Sequence, residues 1–97
     1  MIMETLAAIY PPLSLWHCRV CGLAYEESPW GLDDQTPDFT FCECCGAEFG
    51  YHDYSPAGAR RHRERWLKDG ASWFYPNLKP ADWQPERQLE YIPERYR

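Results

Sequence analysis

The chain has 97 residues, a formal net charge of −5, and 16% aromatic residues, including five Trp and seven Tyr. A chain of this length is expected to form a single domain (1–97) with a small hydrophobic core, so a bound metal would add stability that the core lacks. The acidic balance disfavours a general affinity for nucleic acid, because phosphate binding ordinarily draws on a basic excess. No segment has the apolar length that spans a bilayer, and we expect no membrane association.

Residues 1–15 form an N-terminal lead that differs from a secretory signal. Residues 6–9 are apolar, but no basic segment precedes them, and Pro11 and Pro12 follow without a small-residue cleavage pattern. We therefore expect a cytoplasmic, reducing location, where cysteines bind metals more often than they form disulfides. The alternation in residues 13–17 predicts a strand that enters the next segment.

An octapeptide occurs twice within residues 16–54. Residues 18–25 read CRVCGLAY and residues 42–49 read CECCGAEF, so both follow the pattern C-x-x-C-G-x-x-aromatic. Each C-x-x-C turn supplies two sulfur ligands, and two such turns complete the shell of a tetrahedral metal. The pattern predicts one Zn²⁺ held by four thiolates, those of Cys18, Cys21, Cys42 and Cys45.

Other residues of the repeat support the same site. Gly22 and Gly46 follow the second cysteine of each turn, where the chain reverses with a positive φ that glycine adopts at low cost. Tyr25 and Phe49 lie on the strand that leaves each turn, and their rings can shield the thiolates from water. We expect the two halves to be related by a pseudo-twofold axis.

Alternatives to a zinc site remain open from the residues alone. Five cysteines in a short chain could instead form disulfides in an oxidising compartment. Iron also accepts tetrahedral sulfur, so the ligand set does not distinguish it from zinc. Cys44 is not required by the repeat. We interpret it as a small, semi-buried side chain, and the alternative is a redox-sensitive thiol beside the metal.

The segment between the two turns is acidic. Residues 26–38 contain two prolines, a glycine and five acids, which predicts an exposed loop. Residues 39–41 are expected to return as a strand, so that two hairpins surround one metal. Acidic and aromatic side chains are suited to a protein interface, and the predicted partner-binding residues are Asp33, Asp34, Asp38, Trp30 and Trp83.

One amphipathic helix is predicted within residues 55–70. Ser55 is a suitable N-cap, Pro56 suits the first helical position and Gly70 suits the C-terminal stop, so the expected helix spans about 56–69. Its inward stripe is predicted to contain Ala59, His62, Trp66 and Leu67. Half of the Lys and Arg residues of the chain lie elsewhere on this helix: Arg60, Arg61, Arg63, Arg65 and Lys68. We expect this basic face to pair with the acidic loop rather than with nucleic acid.

Residues 71–97 form an extension rich in proline and aromatic residues. Its four prolines prevent a long helix or a central strand, although they permit one short helix over residues 85–91. The apolar content is too high for a disordered tail. We therefore expect the extension to wrap over the turns and the helix.

Residues 16–92 resemble a group of small bacterial cysteine-rich (CPCC-like) zinc-ribbon proteins of uncharacterised function. The motifs that carry the resemblance are CRVCG, FCECCGAEFGYHD, RERWLKDGASWFYPNLKPADW and QPERQL. The resemblance implies a metal-binding ribbon with a helical and proline-rich extension, and a role in bacterial toxin and immunity systems. Residues 1–15 lie outside it.

The two cysteine turns also resemble the knuckles of rubredoxin, in which four thiolates hold iron for electron transfer. The chain departs from that pattern: the segment between the knuckles is shorter, Glu43 replaces the usual proline, and a long extension follows. These departures favour zinc. The predicted fold is a small α+β zinc ribbon with a rubredoxin-like knuckle pair, one C-terminal amphipathic helix and a wrapping extension.

The predicted function is non-enzymatic. Four cysteine ligands leave zinc no open position for water, and the sequence contains no recognisable nucleophile motif or glycine-rich phosphate loop. Residues 1–54 carry a charge of −8, whereas residues 55–97 carry +3. This asymmetry favours a protein-interaction module that masks a basic partner, such as an immunity or antitoxin protein acting on a toxin. The alternatives are a nucleic-acid-binding ribbon that uses the helix arginines, and an iron electron carrier.

Overall fold

The computed structural model describes residues 15–97 and has a small α+β architecture. Its regular elements are strands β1 (Trp16–His17) and β2 (Ala24–Tyr25) and helices α1 (Pro56–Lys68) and α2 (Pro85–Leu89). Two short 3-10 turns, Pro76–Leu78 and Glu94–Tyr96, flank α2. The predicted lead lies outside the described residues except for Leu15. Within residues 15–97, no helix has the length and apolarity that crossing a membrane requires.

The two octapeptides fold into the same turn with the same pairing. β1 and β2 form an antiparallel hairpin around the first turn, with His17 opposite Ala24. At the corresponding positions, 24 residues later in the sequence, Phe41 bridges Glu48 around the second turn. The predicted strand before the second turn is wrong in length, because Phe39 has a φ of 60° and so leaves extended geometry.

Both glycines of the repeat have the predicted conformation. The φ angles of Gly22 and Gly46 are 86° and 74°. Each glycine N–H donates to the carbonyl of the first cysteine of its turn, Cys18 or Cys42, at 2.9 Å. A Cβ on Gly22 would also collide with the carbonyl oxygen of Gln88, so glycine is required there for close packing as well as for its conformation.

Helix α1 begins and ends on the predicted signals. The Ser55 hydroxyl accepts a hydrogen bond from the N–H of Gly58 at 3.0 Å, and Pro56 occupies the first turn. The helix ends at Lys68, one residue earlier than predicted, and Gly70 follows with a φ of 101°. These signals are local, which is why the sequence predicts them well.

The inward face of α1 differs from the predicted stripe at one position. Ala59 and Trp66 are buried and His62 is half-buried, but Leu67 is 42% exposed. Leu67 follows Trp66 by one residue, about 100° further around the helix, which turns it towards solvent. Arg63 lies one helical turn after Ala59 and is directed inward instead, where its guanidinium donates to backbone carbonyls.

The extension packs against both turns and against α1. Trp73, Ile92 and Tyr96 are buried in the same core cluster as the four ligand cysteines. Helix α2 ends at Leu89, two residues before the predicted end, and the following turns lead to Ile92. Other rings of the extension, including those of Phe74 and Tyr75, remain exposed.

Candidate metal centre

The four cysteines predicted as ligands lie together in the core. Cys18, Cys21, Cys42 and Cys45 are all buried, and their sulfur atoms lie within 4.8 Å of one another. The sulfur of Cys18 is 3.9 Å from that of Cys45, and the sulfur of Cys21 is 3.7 Å from that of Cys42. Ligands about 2.3 Å from a tetrahedral zinc are roughly 3.8 Å apart. The donor set therefore fits a four-sulfur metal site, and the geometry does not identify the metal.

Cys44 is outside this group of four. In the repeat it corresponds to Val20, and both side chains are fully buried. Its sulfur accepts a hydrogen bond from Nε2 of Gln88 at 3.4 Å. Cys44 is thus a core residue, buried more completely than the predicted semi-buried position.

The four thiols influence one another's ionisation. Burial, followed by hydrogen bonds with neighbouring cysteines, raises the pKa of Cys21 and Cys45. Burial also opposes ionisation of Cys42, but hydrogen bonds from the other three ligand cysteines and from Tyr25 outweigh it and lower the pKa of that thiol. Without a metal, negative charge is therefore favoured at Cys42 and opposed at Cys21 and Cys45. A bound cation would stabilise four thiolates together.

The first turn presents three backbone carbonyls to the rest of the chain, and each accepts a hydrogen bond from a distant side chain. The guanidinium of Arg63 donates to the carbonyls of Val20, at 2.7 Å, and of Arg19, at 3.1 Å. The amide of Gln88 donates to the carbonyl of Cys21 at 3.1 Å. Helix α1 and helix α2 thus hold the first turn through its main chain.

The second turn has the same arrangement with different donors. The N–H groups of Phe74 and Tyr75 donate to the carbonyls of Cys44 and Glu43 at 2.9 Å and 3.0 Å. Nε2 of His62 lies 2.9 Å from the carbonyl of Cys45. Since a carbonyl only accepts, this nitrogen carries the proton.

The six carbonyls of the two turns are therefore all bonded to α1 or to the extension. Buried carbonyls without partners would cost free energy, so these bonds fix the path of the main chain around the sulfur atoms. No pattern in the sequence predicts this role of the donor side chains. Only the carbonyl positions in the folded chain reveal it, because each donor is distant in sequence.

Aromatic rings cover the side of the site formed by the hairpin. Phe49 is buried and lies edge-on to the rings of Trp16 and Tyr25, with centroids 5.5 Å and 5.6 Å away. The hydroxyl oxygen of Tyr25 accepts a hydrogen bond from the N–H of Glu43 at 3.1 Å. Tyr25 thus connects the strand of the first turn to the backbone of the second.

The predicted acidic partner residues lie on the surface. Asp33 and Asp38 are exposed, and each caps a turn of the loop by accepting a hydrogen bond from an N–H two residues later. Asp34 is exposed and pairs with Arg19 at 2.9 Å. Among residues 15–97, this ion pair on the acidic loop is made by Arg19 and not by a base of α1, contrary to the expected pairing of the helix with the loop.

The predicted aromatic partner residues are less accessible. Trp30 is only 6% exposed, its Nε1 donates to the carboxylate of Asp53 at 2.8 Å, and the guanidinium of Arg19 stacks on its ring at 3.8 Å. Trp30 is buried because its indole N–H reaches an acceptor inside the core, which leaves little of its ring on the surface. Trp83 is half-buried and packs edge-on against Trp73.

Comparison of the chain with protein-family models, curated proteins and solved structures found no match. The case for a metal centre rests on the cysteine spacing and on the geometry of the four sulfur atoms. The hydrogen bonds to the turn carbonyls explain structurally how α1 and the extension stabilise the two cysteine turns.

Proposed function

We propose that the chain is a zinc-ribbon protein-interaction module, in which the metal stabilises the fold and an acidic surface binds a basic protein. The observation that carries this proposal is the group of four buried sulfur atoms within 4.8 Å of one another. Four thiolate ligands saturate zinc and leave no position for a substrate or a water molecule. The metal then has a structural role, and function belongs to the protein surface.

Metal analysis and the colour of the purified protein distinguish zinc from iron. Zinc gives a colourless protein, whereas iron bound by four thiolates absorbs visible light. We expect protein purified without added metal to contain one zinc per chain by elemental analysis. A coloured protein with one iron per chain would favour the electron-carrier alternative and would remove zinc from the proposal.

The proposed binding surface is the acidic side of the loop between the turns. Glu26 and Glu27 are exposed beside a shallow cavity of about 600 Å³, and the side chain of Leu32 on the same rim is fully exposed. Asp33 and Asp38 add negative charge on the same loop. Carboxylates around an exposed apolar residue are complementary to a basic protein with an apolar contact, and such charge complementarity increases association rates.

A more specific form of the proposal is an immunity or antitoxin protein that masks a basic toxin. The motif resemblance to small bacterial cysteine-rich proteins supports this form. The acidic first half of the chain supports it independently, since a basic partner would be attracted to it at low ionic strength.

Charge reversal on the loop tests the proposed surface. Glu26→Lys combined with Glu27→Lys should abolish capture of a basic partner from native lysate. These side chains are exposed and form no ion pair within residues 15–97 that the change would break. The matched control is Glu86→Lys combined with Glu90→Lys, two exposed acids of the extension. Capture that is lost with both pairs, or with neither, would contradict the proposed surface.

A further inference from the structure

A second cleft lies between the first half of α1 and the turn that follows the second cysteine turn. Its volume is about 440 Å³, within the range of roughly 300–1,000 Å³ of small-ligand pockets. The side chains that define its chemistry are Tyr51, His52, Tyr54, Arg61, His62 and Arg65. This cleft shares no lining residue with the cavity beside the acidic loop.

The cleft is positively charged. Arg61 and Arg65 are exposed and lie one helical turn apart on α1, so their guanidinium groups can reach one ligand. No carboxylate lines the cleft, and neither arginine forms an ion pair with any residue in the described part of the chain. Arg60 and Arg63, in contrast, donate to backbone carbonyls of the protein itself. Two unneutralised guanidinium groups form a site suited to the oxygen atoms of a phosphate.

Two imidazole rings form the inner part of the cleft, with centroids 4.6 Å apart. Nδ1 of His52 accepts a hydrogen bond from the N–H of Glu48 at 2.8 Å, so its Nε2 carries the proton of the neutral ring. Nδ1 of His62 is buried and has no hydrogen-bond partner within residues 15–97. Because Nε2 of His62 faces a carbonyl, Nδ1 is the accepting nitrogen of the neutral ring. Burial and proximity to His62 lower the pKa of His52, and the carboxylate of Glu48 partly opposes this shift.

Two tyrosine rings stand at the rim. Tyr51 is 70% exposed and Tyr54 is 77% exposed. Burial of aromatic rings of this size would ordinarily stabilise a core, so their exposure is unusual. Tyr51 contacts His52 edge-on, with ring centroids 4.8 Å apart, which limits the positions of its ring. Exposed rings beside a phosphate site can stack on nucleic acid bases, an interaction that every base accepts.

We propose that this cleft binds a nucleotide, with Arg61 and Arg65 contacting the phosphate and an exposed tyrosine stacking on the base. A free nucleotide and a single-stranded nucleic acid present the same phosphate and base, and they differ in chain length and in the salt dependence of binding. The chain as a whole carries −5, and binding therefore depends on the local charge of the cleft.

Isothermal titration of the metal-loaded full chain with adenosine monophosphate tests the proposal. Arg61→Ala combined with Arg65→Ala should weaken binding by about tenfold to a hundredfold, because two charge-assisted contacts are lost. The matched control is Lys68→Ala, an exposed base on the same helix outside the cleft, which should bind as the wild type does. Adenosine, which lacks the phosphate, should bind the wild type at least about tenfold more weakly than the monophosphate.

A short oligothymidylate separates the two sources of ligand. Binding of the oligonucleotide that is tighter than that of the monophosphate and falls steeply with salt supports a nucleic acid strand. Equal affinities support a free nucleotide. In either case, the aromatic proton NMR signals of Tyr51 or Tyr54 should shift when ligand is added to the wild-type protein. This measurement does not depend on the stability of any variant.

Two results would overturn the proposal. One is the absence of saturable binding of both the monophosphate and the oligonucleotide at concentrations on the order of 1 mM. The other is unchanged affinity in the double arginine variant with an unchanged melting temperature, since this would place the ligand elsewhere on the protein.

Discussion

Cys44 and Cys45 are neighbours in the chain, yet only Cys45 belongs to the group of four sulfur atoms. The repeat explains the difference, since Cys44 corresponds to Val20 and Cys45 corresponds to Cys21. A sulfur atom therefore becomes a ligand here through its position in the turn, and Cys44 contributes packing and an acceptor for Gln88.

This difference predicts opposite effects of two adjacent substitutions. Cys44→Ala should retain one metal per chain, whereas Cys45→Ala should lose it, because three thiolates bind a structural zinc far more weakly than four. The measurement is the metal-to-protein ratio after gel filtration. Loss of the metal in Cys44→Ala would show that the two sulfur atoms can exchange roles.

The ligand residues could be predicted from the sequence because C-x-x-C fixes two sulfur atoms within one turn. The burial of Trp30 could not, because it depends on the carboxylate of Asp53, which is 23 residues away and itself buried. An acceptor inside the core converts an apparent surface aromatic residue into an interior one. The local pattern around Trp30 contains no signal for that contact.

His52 should make the stability of the protein depend on pH. Burial, followed by the charge of His62, lowers its pKa below the ordinary value of 6.5. The unfolded chain therefore binds more protons than the folded chain in this range, so the stability contributed by neutral His52 is present above pH 6.5 and is lost as the pH falls through the lower, folded-state pKa.

The variant His52→Gln should reduce this dependence, because glutamine can still accept the hydrogen bond from Glu48 but does not titrate. Urea unfolding at several pH values, for wild type and variant with equal metal content, provides the measurement. Equal slopes of unfolding free energy against pH in the two proteins would contradict this role of His52.

At the scale of elements, α1 is held against the first turn by a charged side chain as well as by apolar ones. Arg63 donates to the carbonyls of Arg19, Val20 and Tyr96, so one guanidinium joins the first turn, the helix and the end of the extension. A guanidinium provides several donors in a fixed plane, which a lysine ammonium group lacks.

Removal of this guanidinium should destabilise the fold. Arg63→Ala leaves three carbonyls without their donor and should lower the free energy of unfolding by about 2–4 kcal/mol. Arg63→Lys should recover only part of that loss, and Arg61→Ala, at an exposed position of the same helix, should have little effect. The measurement is chemical unfolding of the metal-loaded proteins. Equal stability of Arg63→Ala and Arg61→Ala would show that the carbonyl contacts contribute little.

The sequence predicts the bounds of α1 but not the inward direction of the Arg63 side chain. Ser55, Pro56 and Gly70 act within a few residues of themselves, and the helix was predicted to within one residue at its end. Arg63 has the same sequence context as the exposed arginines beside it. Its inward direction follows from carbonyls about forty positions earlier in the chain, which no local pattern encodes.

At the scale of the whole molecule, the two cysteine turns, α1 and the extension form one connected unit. The metal would hold the sulfur side of each turn, and the six bonded carbonyls hold the other side. Structural zinc contributes about 10–16 kcal/mol of apparent binding free energy in small peptides. This exceeds the roughly 3–5 kcal/mol available from the core of a small domain. The extension should therefore fold only when the turns are formed around the metal.

Amide hydrogen exchange before and after removal of the metal with a chelator tests this coupling most directly. The amides of Gly22 and Gly46 report on the two turns, and those of Phe74 and Tyr75 report on the extension, because each donates to a carbonyl of a cysteine turn. We predict that all four lose protection together when the metal is removed. Continued protection of Phe74 and Tyr75 while Gly22 and Gly46 exchange freely would contradict the account, since the extension would then be folded independently of the metal centre.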